Sequence, residues 1–279
     1  MEAVIDNSTE PFFLGALAAW HHTCPSGKPR ARVLLIHGIS EHSGRHLNTV
    51  KALTSRDIEV VRFDLRGAGL SGGRRQWCRR FEDYVEDTET VFNWICRERD
   101  DLPLFLLGHS MGGAVAIHFS SIYGRMFRGL LLSGPAYLTG AAISPLVVNV
   151  GKMLKNAIPL FRVPGGDDKS SLSRDPEVGK AFLADPLTIQ FNTLQQGNEV
   201  LRGMDAVPDI CRLITIPTFI AHGSHDQVIR VDGSFVILQR LASKDRMLHI
   251  IPGGYHEPHN DWDKEAYFER LTSWVHKRV

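Results

Sequence analysis

The sequence is poor in cysteine: Cys24, Cys78, Cys96 and Cys211 are scattered through 279 residues and form no C-x-x-C pair. That pattern excludes a disulfide-stapled framework and a zinc knuckle. An excess of one charge is lacking too, with 32 Lys and Arg against 31 Asp and Glu and no long run of either. Binding to nucleic acid through overall charge is therefore excluded. No stretch reaches the ~18 apolar residues of a membrane span. The apolar segment 11–20 follows Glu2, Asp6 and Glu10 and no Lys or Arg, the wrong charge for a secretion signal. A soluble, cytoplasmic protein is expected. Residues 64–73 are rich in glycine but have neither G-x-G-x-x-G nor the lysine of a phosphate-binding loop. They read as a turn after a strand, with Ser71 as a cap.

What is present is apolar: 43% of the residues are hydrophobic, enough for a large core without disulfides or a structural metal. Short β-rich runs alternate with helical patterns, which predicts an α/β fold with a mostly parallel sheet covered by helices. Strands are expected over 32–36, 58–63, 104–107, 130–132, 218–221 and 247–251, each a near-continuous apolar run as strands buried on both faces require. Residues 12–20 add antiparallel edge strands. Phe81, Tyr84, Val85, Val91, Phe92 and Ile95 share one helical face, as do Tyr267, Phe268, Leu271, Trp274 and Val275. A third helix, 114–122, is apolar almost all round and should be buried on several sides.

The alternation stops over 137–215, far beyond the ~4–6 residues of an ordinary connection. Ser144-Pro145 reads there as a helix start, followed by an apolar stripe from Leu146 through Val150 and Leu154 to Ile158 and Phe161. A loop follows over 165–171. We expect one domain over 1–279, with 137–215 inserted as a cap over the sheet.

The chemistry centres on Gly108-His-Ser-Met-Gly-Gly113, directly after one expected strand and before the apolar helix. This is G-x-S-x-G in the strand–turn–helix setting that exposes a serine on a strained turn. A serine hydroxyl needs a base, and the base needs a carboxylate to orient it. On this architecture the partners follow as Asp and then His, each after a later strand. Asp226 stands after 218–221 and His256 after 247–251, with His259 a competing base three residues on. The oxyanion needs two backbone donors, and the N–H groups of Met111 and Ile39 are placed to supply them. His256-Glu-Pro-His259 also holds metal-ligand residue types, but Pro258 disfavours the helix that H-E-x-x-H requires.

These residues resemble the α/β-hydrolase family, in particular its monoglyceride lipase and lysophospholipase branch, from about Gly15 to Val275. The sharpest matches are His37-Gly-Ile-Ser-Glu-His-Ser-Gly-Arg45, 104–113, Ser170-Ser-Leu-Ser-Arg174 with Ala184-Asp-Pro-Leu187, and Gly254-Tyr-His256. The resemblance implies an eight-stranded, mostly parallel sheet with a helical cap, and a triad of Ser110, Asp226 and His256. It implies an ester hydrolase acting on monoacylglycerols, with lysophospholipids or simple carboxylesters as alternatives; the triad alone also allows an amide, peptide or thioester hydrolase or an acyltransferase. It also implies a lipid-like ester as partner, no cofactor, and transient contact with lipid surfaces through the cap.

Family members hold a glycerol head group with polar residues that match Glu41, Arg45 and His259. Glu41 and Arg45 read equally well as an ion pair tethering the oxyanion loop. Leu146, Val150 and Leu154 would roof an acyl tunnel. This chain departs from the family pattern at Ile39, where a smaller residue is common, and at Ala68, where histidine is frequent. Phe182 replaces a cap tyrosine. A ligand-binding protein that has lost turnover is the non-enzymatic alternative, against which the intact triad speaks.

Overall fold

A computed structural model of the chain describes residues 10–97, 101–140, 157–165 and 169–279. Eight strands form the main sheet: β1 Phe12–Leu14, β2 Leu17–His22, β3 Ala31–Ile36, β4 Ile58–Phe63, β5 Leu104–His109, β6 Gly129–Ser133, β9 Thr218–Gly223 and β10 Arg246–Ile251. Their order is β1-β2-β4-β3-β5-β6-β9-β10. The β1–β2 and β2–β4 pairs are antiparallel and every other pair in this sheet is parallel, so residues 12–20 do lie in antiparallel strands, with β1 at the edge and β2 between it and β4. β3, β4, β5, β6 and β9 are buried along nearly their whole length, as helices on both faces demand. β10 differs. It is an edge strand and only half-buried, although its sequence reads like the others.

Seven helices are described: α1 Leu47–Thr54, α2 Glu82–Arg97, α3 Met111–Tyr123, α4 Pro176–Ala184, α5 Leu194–Ile210, α6 Asp232–Arg240 and α7 Lys264–His276. The expected apolar faces of α2 and α7 are buried, one on each side of the sheet. α3 is buried at Val115, Ile117 and Phe119, but its last turn breaks the pattern, because Ile122 is 66% exposed.

One correction concerns the 137–215 insertion. The apolar stripe does not continue as a helix to Phe161, since Ile158 and Phe161 lie in and after a turn and are largely exposed. Leu146, Val150 and Leu154 lie outside the described residues. α5, moreover, does not merely sit over the sheet. Its Val200, Met204 and Val207 enter the core shared with α2 and α3, and its Gly203 backbone lies against the Phe81 ring. The strands β7 Arg162–Pro164 and β8 Phe191–Thr193 pair antiparallel, apart from the main sheet. Lys169–Ser171, expected as loop, is a single 3-10 turn. No described helix is long and apolar enough to cross a membrane.

Candidate active site

Gly108 lies one residue before the end of β5 and Gly112 in the first turn of α3, and between them the chain reverses sharply. A Cβ on Gly112 would lie 2.4 Å from the carbonyl oxygens of Ile36 and His37, and one on Gly108 would lie 2.3 Å from the Gly112 oxygen. Only glycine fits at either place. Ser110, held between them, has φ 52°, a left-handed conformation that a serine adopts at a cost of about 1–3 kcal/mol. This strained turn sets the hydroxyl at the carboxyl end of β5, at the N-terminus of α3.

His256 arrives from the turn after β10. Its Nε2 lies 3.0 Å from Ser110 Oγ, and its Nδ1 lies 2.7 Å from Asp226 Oδ2. The expected Ser–His–Asp chain is therefore continuous. Asp226 sits on the turn after β9, where its Oδ1 accepts the N–H groups of Val228 and Ile229 at 2.9 Å each. Burial alone would raise its pKa, but the His256 and His222 imidazoles hold the carboxyl well below the usual range. It stays ionised at any pH at which the protein would work. His259, the competing base, touches neither Ser110 nor Asp226.

Ile39 and Met111 border one small cavity beside the serine, together with Ala68, Gln76, Tyr84 and Gln196. Met111 is the first residue of α3, so its N–H has no acceptor within the helix. The loop carrying Ile39 is braced at several points. His37 Nδ1 meets Gly38 O at 2.7 Å and its Nε2 accepts the Leu65 N–H at 3.0 Å. Gly38 N–H donates to Glu41 Oε1 at 2.6 Å, and Gln76 Nε2 donates to Ser40 Oγ at 2.8 Å. The segment after α4 closes over this loop through His42 with Asp185 at 2.9 Å and Ile189 N–H with Ser40 O at 2.9 Å. Ser71 caps no helix. It instead accepts the Ala18 N–H and donates to Asp64 O, tying β2 to the glycine-rich turn.

Glu41, Arg45 and His259 gather in one buried cluster. Arg45 Nη2 donates to both oxygens of Glu257 at 2.7 Å, and its Nε reaches Glu41 at 3.3 Å. Glu41 also meets His46 Nε2 at 3.0 Å. Burial opposes the Glu41 charge, but His46, His109 and Arg45 outweigh it and hold the pKa well below the ordinary value. The ion-pair reading of Glu41 and Arg45 matches these contacts.

His259 is almost fully buried and stacks on His46 with ring centroids 4.3 Å apart, and its Nε2 has no hydrogen-bond partner among the described residues. Burial, then His46 and His109, push its pKa well down, so the ring is neutral at pH 7. Phe182 is buried with Arg45 and Lys169 over its ring at 4.7 and 4.5 Å, so cations cover its face. No group of three or more His, Cys, Asp or Glu among the described residues could hold a metal ion.

Sequence reasoning missed His222, Glu257 and His46. His222 is a lone polar residue in an apolar strand, whereas His46 and Glu257 lie in polar stretches with many candidate partners. No spacing rule marks such a residue; the fold alone brings it to the site.

The chain matches the serine aminopeptidase S33 family over residues 27–263. It is 34% identical over 253 residues to a monoacylglycerol lipase of Mycolicibacterium smegmatis, covering 90% of each chain. It is 30% identical over 259 residues to the human monoglyceride lipase, covering 91% of this chain and 85% of that one. The crystal structure of Paleococcus ferrophilus monoacylglycerol lipase superposes with a TM-score of 0.85 at 25% identity, covering 94% of this chain and 99% of that one. The strained serine turn, the eight-stranded sheet and a family match over most of the length lead to one conclusion. The chain belongs to the serine aminopeptidase S33 family of α/β-hydrolases.

Proposed function

We propose that this protein is a serine ester hydrolase that cleaves monoacylglycerols to fatty acid and glycerol. The observation that carries the chemistry is the unbroken contact from Ser110 through His256 to Asp226. His256 Nε2 takes the Ser110 proton as Oγ attacks the ester carbonyl, and Asp226 steadies the imidazolium. The N–H groups of Ile39 and Met111 receive the oxyanion, each worth roughly 3–4 kcal/mol in comparable hydrolases. The imidazolium then protonates the departing glycerol oxygen. Water, deprotonated by the same nitrogen, attacks the acyl-enzyme, and the fatty acid leaves as the proton returns to Ser110.

The substrate class rests on the relatives named monoacylglycerol or monoglyceride lipase. In this reading 137–215 is a cap within one hydrolase domain. Glu41 and Arg45 shape the head-group end through their ion pairs, beside Phe182. His259 offers its open Nε2 to a glycerol hydroxyl. A monoacylglycerol chain-length series, beside lysophosphatidylcholine, p-nitrophenyl esters, acyl-CoA and short peptides, tests the assignment. Monoacylglycerols are expected to show the highest kcat/KM; a higher value for lysophosphatidylcholine or a peptide overturns it.

The substrate is a lipid, so the cytoplasmic protein would meet it at a membrane surface. Leu146, Val150 and Leu154 give the cap the apolar stripe for that contact. Leu146→Glu with Leu154→Glu is expected to abolish sedimentation with phosphatidylcholine vesicles while p-nitrophenyl butyrate hydrolysis persists. Unchanged sedimentation of the double variant refutes docking through the cap.

A further inference from the structure

Asp226 meets two imidazoles. One is His256, on which the reaction turns. The other is His222, on β9 four residues before the aspartate and with no solvent exposure. His222 Nε2 lies 3.0 Å from Ile229 O and 3.1 Å from Asp226 Oδ2. Both neighbours can only accept, so this nitrogen carries the hydrogen. Nδ1 is then the acceptor, and it lies 2.7 Å from the hydroxyl of Ser234, a fully buried residue on α6. The tautomer of His222 is thus fixed at Nε2, and the Ser234 hydroxyl turns to donate to Nδ1.

An ionised carboxylate offers about four lone-pair directions. Oδ1 fills two of them with the Val228 and Ile229 N–H groups. Oδ2 accepts from His256 at 2.7 Å and lies 3.1 Å from His222 Nε2, whose one hydrogen it shares with the Ile229 carbonyl. The carboxylate cannot rotate or offer His256 a second position without breaking one of these bonds. We infer that His222, held by Ser234, is a positioning residue of the triad: its Nε2–H locks Asp226 Oδ2, and so the His256 ring, in line with Ser110. This inference rests on the triad reading above. The plainer account has His222 serving only the Ile229 carbonyl as a piece of buried structure, and the two differ in what depends on Asp226.

The test measures the second-order rate of Ser110 labelling by a fluorophosphonate, together with kcat and KM on p-nitrophenyl butyrate. His222→Leu is expected to slow labelling and lower kcat about 10- to 100-fold, the scale of a misplaced reacting group, with KM changed less than about threefold. His222→Gln returns an N–H donor to the place of Nε2 and is expected to recover most of the loss. In an Asp226→Ala background the His222→Leu change should cost less than about twofold, since no carboxylate is left to position. Equal losses in the two backgrounds, or a wild-type rate in His222→Leu, overturn the inference. Should His222→Leu fail to fold, Ser234→Ala decides: a several-fold fall in kcat at constant KM supports the role, and an unchanged kcat refutes it. A wild-type protein that takes up no fluorophosphonate overturns the triad reading itself, and the role of His222 with it.

Discussion

Ser110→Ala is expected to abolish fluorophosphonate labelling and to lower kcat for ester hydrolysis by about a million-fold, with KM little changed. The hydroxyl is the only group that forms a covalent bond to the acyl carbon, and before the reaction it touches His256 rather than a substrate. Its removal therefore acts on the transition state. His256→Ala should cost about as much, because an alcohol with no base beside it is a poor nucleophile at neutral pH. Asp226→Asn is expected to cost about ten-thousand-fold, or ~5.5 kcal/mol of barrier. The amide nitrogen cannot accept the His256 Nδ1 proton, so an amide at this place favours the tautomer with Nε2 protonated, which cannot take a proton from Ser110. The three losses should not add. A double variant of Ser110 and His256 is expected to be no slower than either single one, because the groups act as a unit. Kinetics on p-nitrophenyl butyrate, with thermal melts to show that the variants are folded, checks each value. Residual kcat above about one per cent in Ser110→Ala sinks the mechanism.

Much of this was legible in the sequence because two local rules coincide. The apolar runs at 32–36, 104–107 and 218–221 can only be strands covered on both faces, and such strands are parallel. Once they are parallel, their carboxyl ends lie on one edge, so a G-x-S-x-G, an aspartate and a histidine that each follow a strand must converge there. That inference needed no distances, and Ser110, Asp226 and His256 obey it. The half-exposure of β10 was not legible, because hydropathy does not say which strand is outermost. Nor was the path of the chain after residue 156, where an apolar stripe at helical spacing leads into a turn and the strand β7.

Glu257 shows a different limit. It is 212 positions from Arg45, and nothing but the closure of the sheet makes them partners. His259 could be read from family likeness as a head-group ligand and from position as a base. In the structure His259 stacks on His46, while it is His256 that meets Ser110. The glycines were the most informative single residues, since Gly108 and Gly112 report a close approach of backbone that no other side chain would permit.

Acid should unfold this protein earlier than its carboxylates alone would. Burial, the largest cause in each case, pushes the pKa of His37, His109 and His259 below the ordinary value. In the unfolded chain the same rings titrate near 6.5. Stability from these groups is therefore fully present above that pH. It is lost as the pH falls toward the folded-state pKa values, because the unfolded chain takes up protons that the native rings refuse. Tm is therefore expected to fall as the pH drops below about 6.5. Glu41 and Asp226 behave in the opposite sense of charge, their carboxyls being held below the ordinary value by imidazole and guanidinium neighbours despite burial. Their contribution is complete above about pH 4.5 and fails only below it. Two stages are thus expected in a calorimetric series from pH 7.5 to 3.5, a histidine stage and then a carboxylate stage. His259→Gln removes one of these buried rings and should make the first stage shallower, whatever it does to stability at pH 7.5. A Tm that holds constant from pH 7.5 to 5.5 would mean that the buried rings take up protons without leaving the fold.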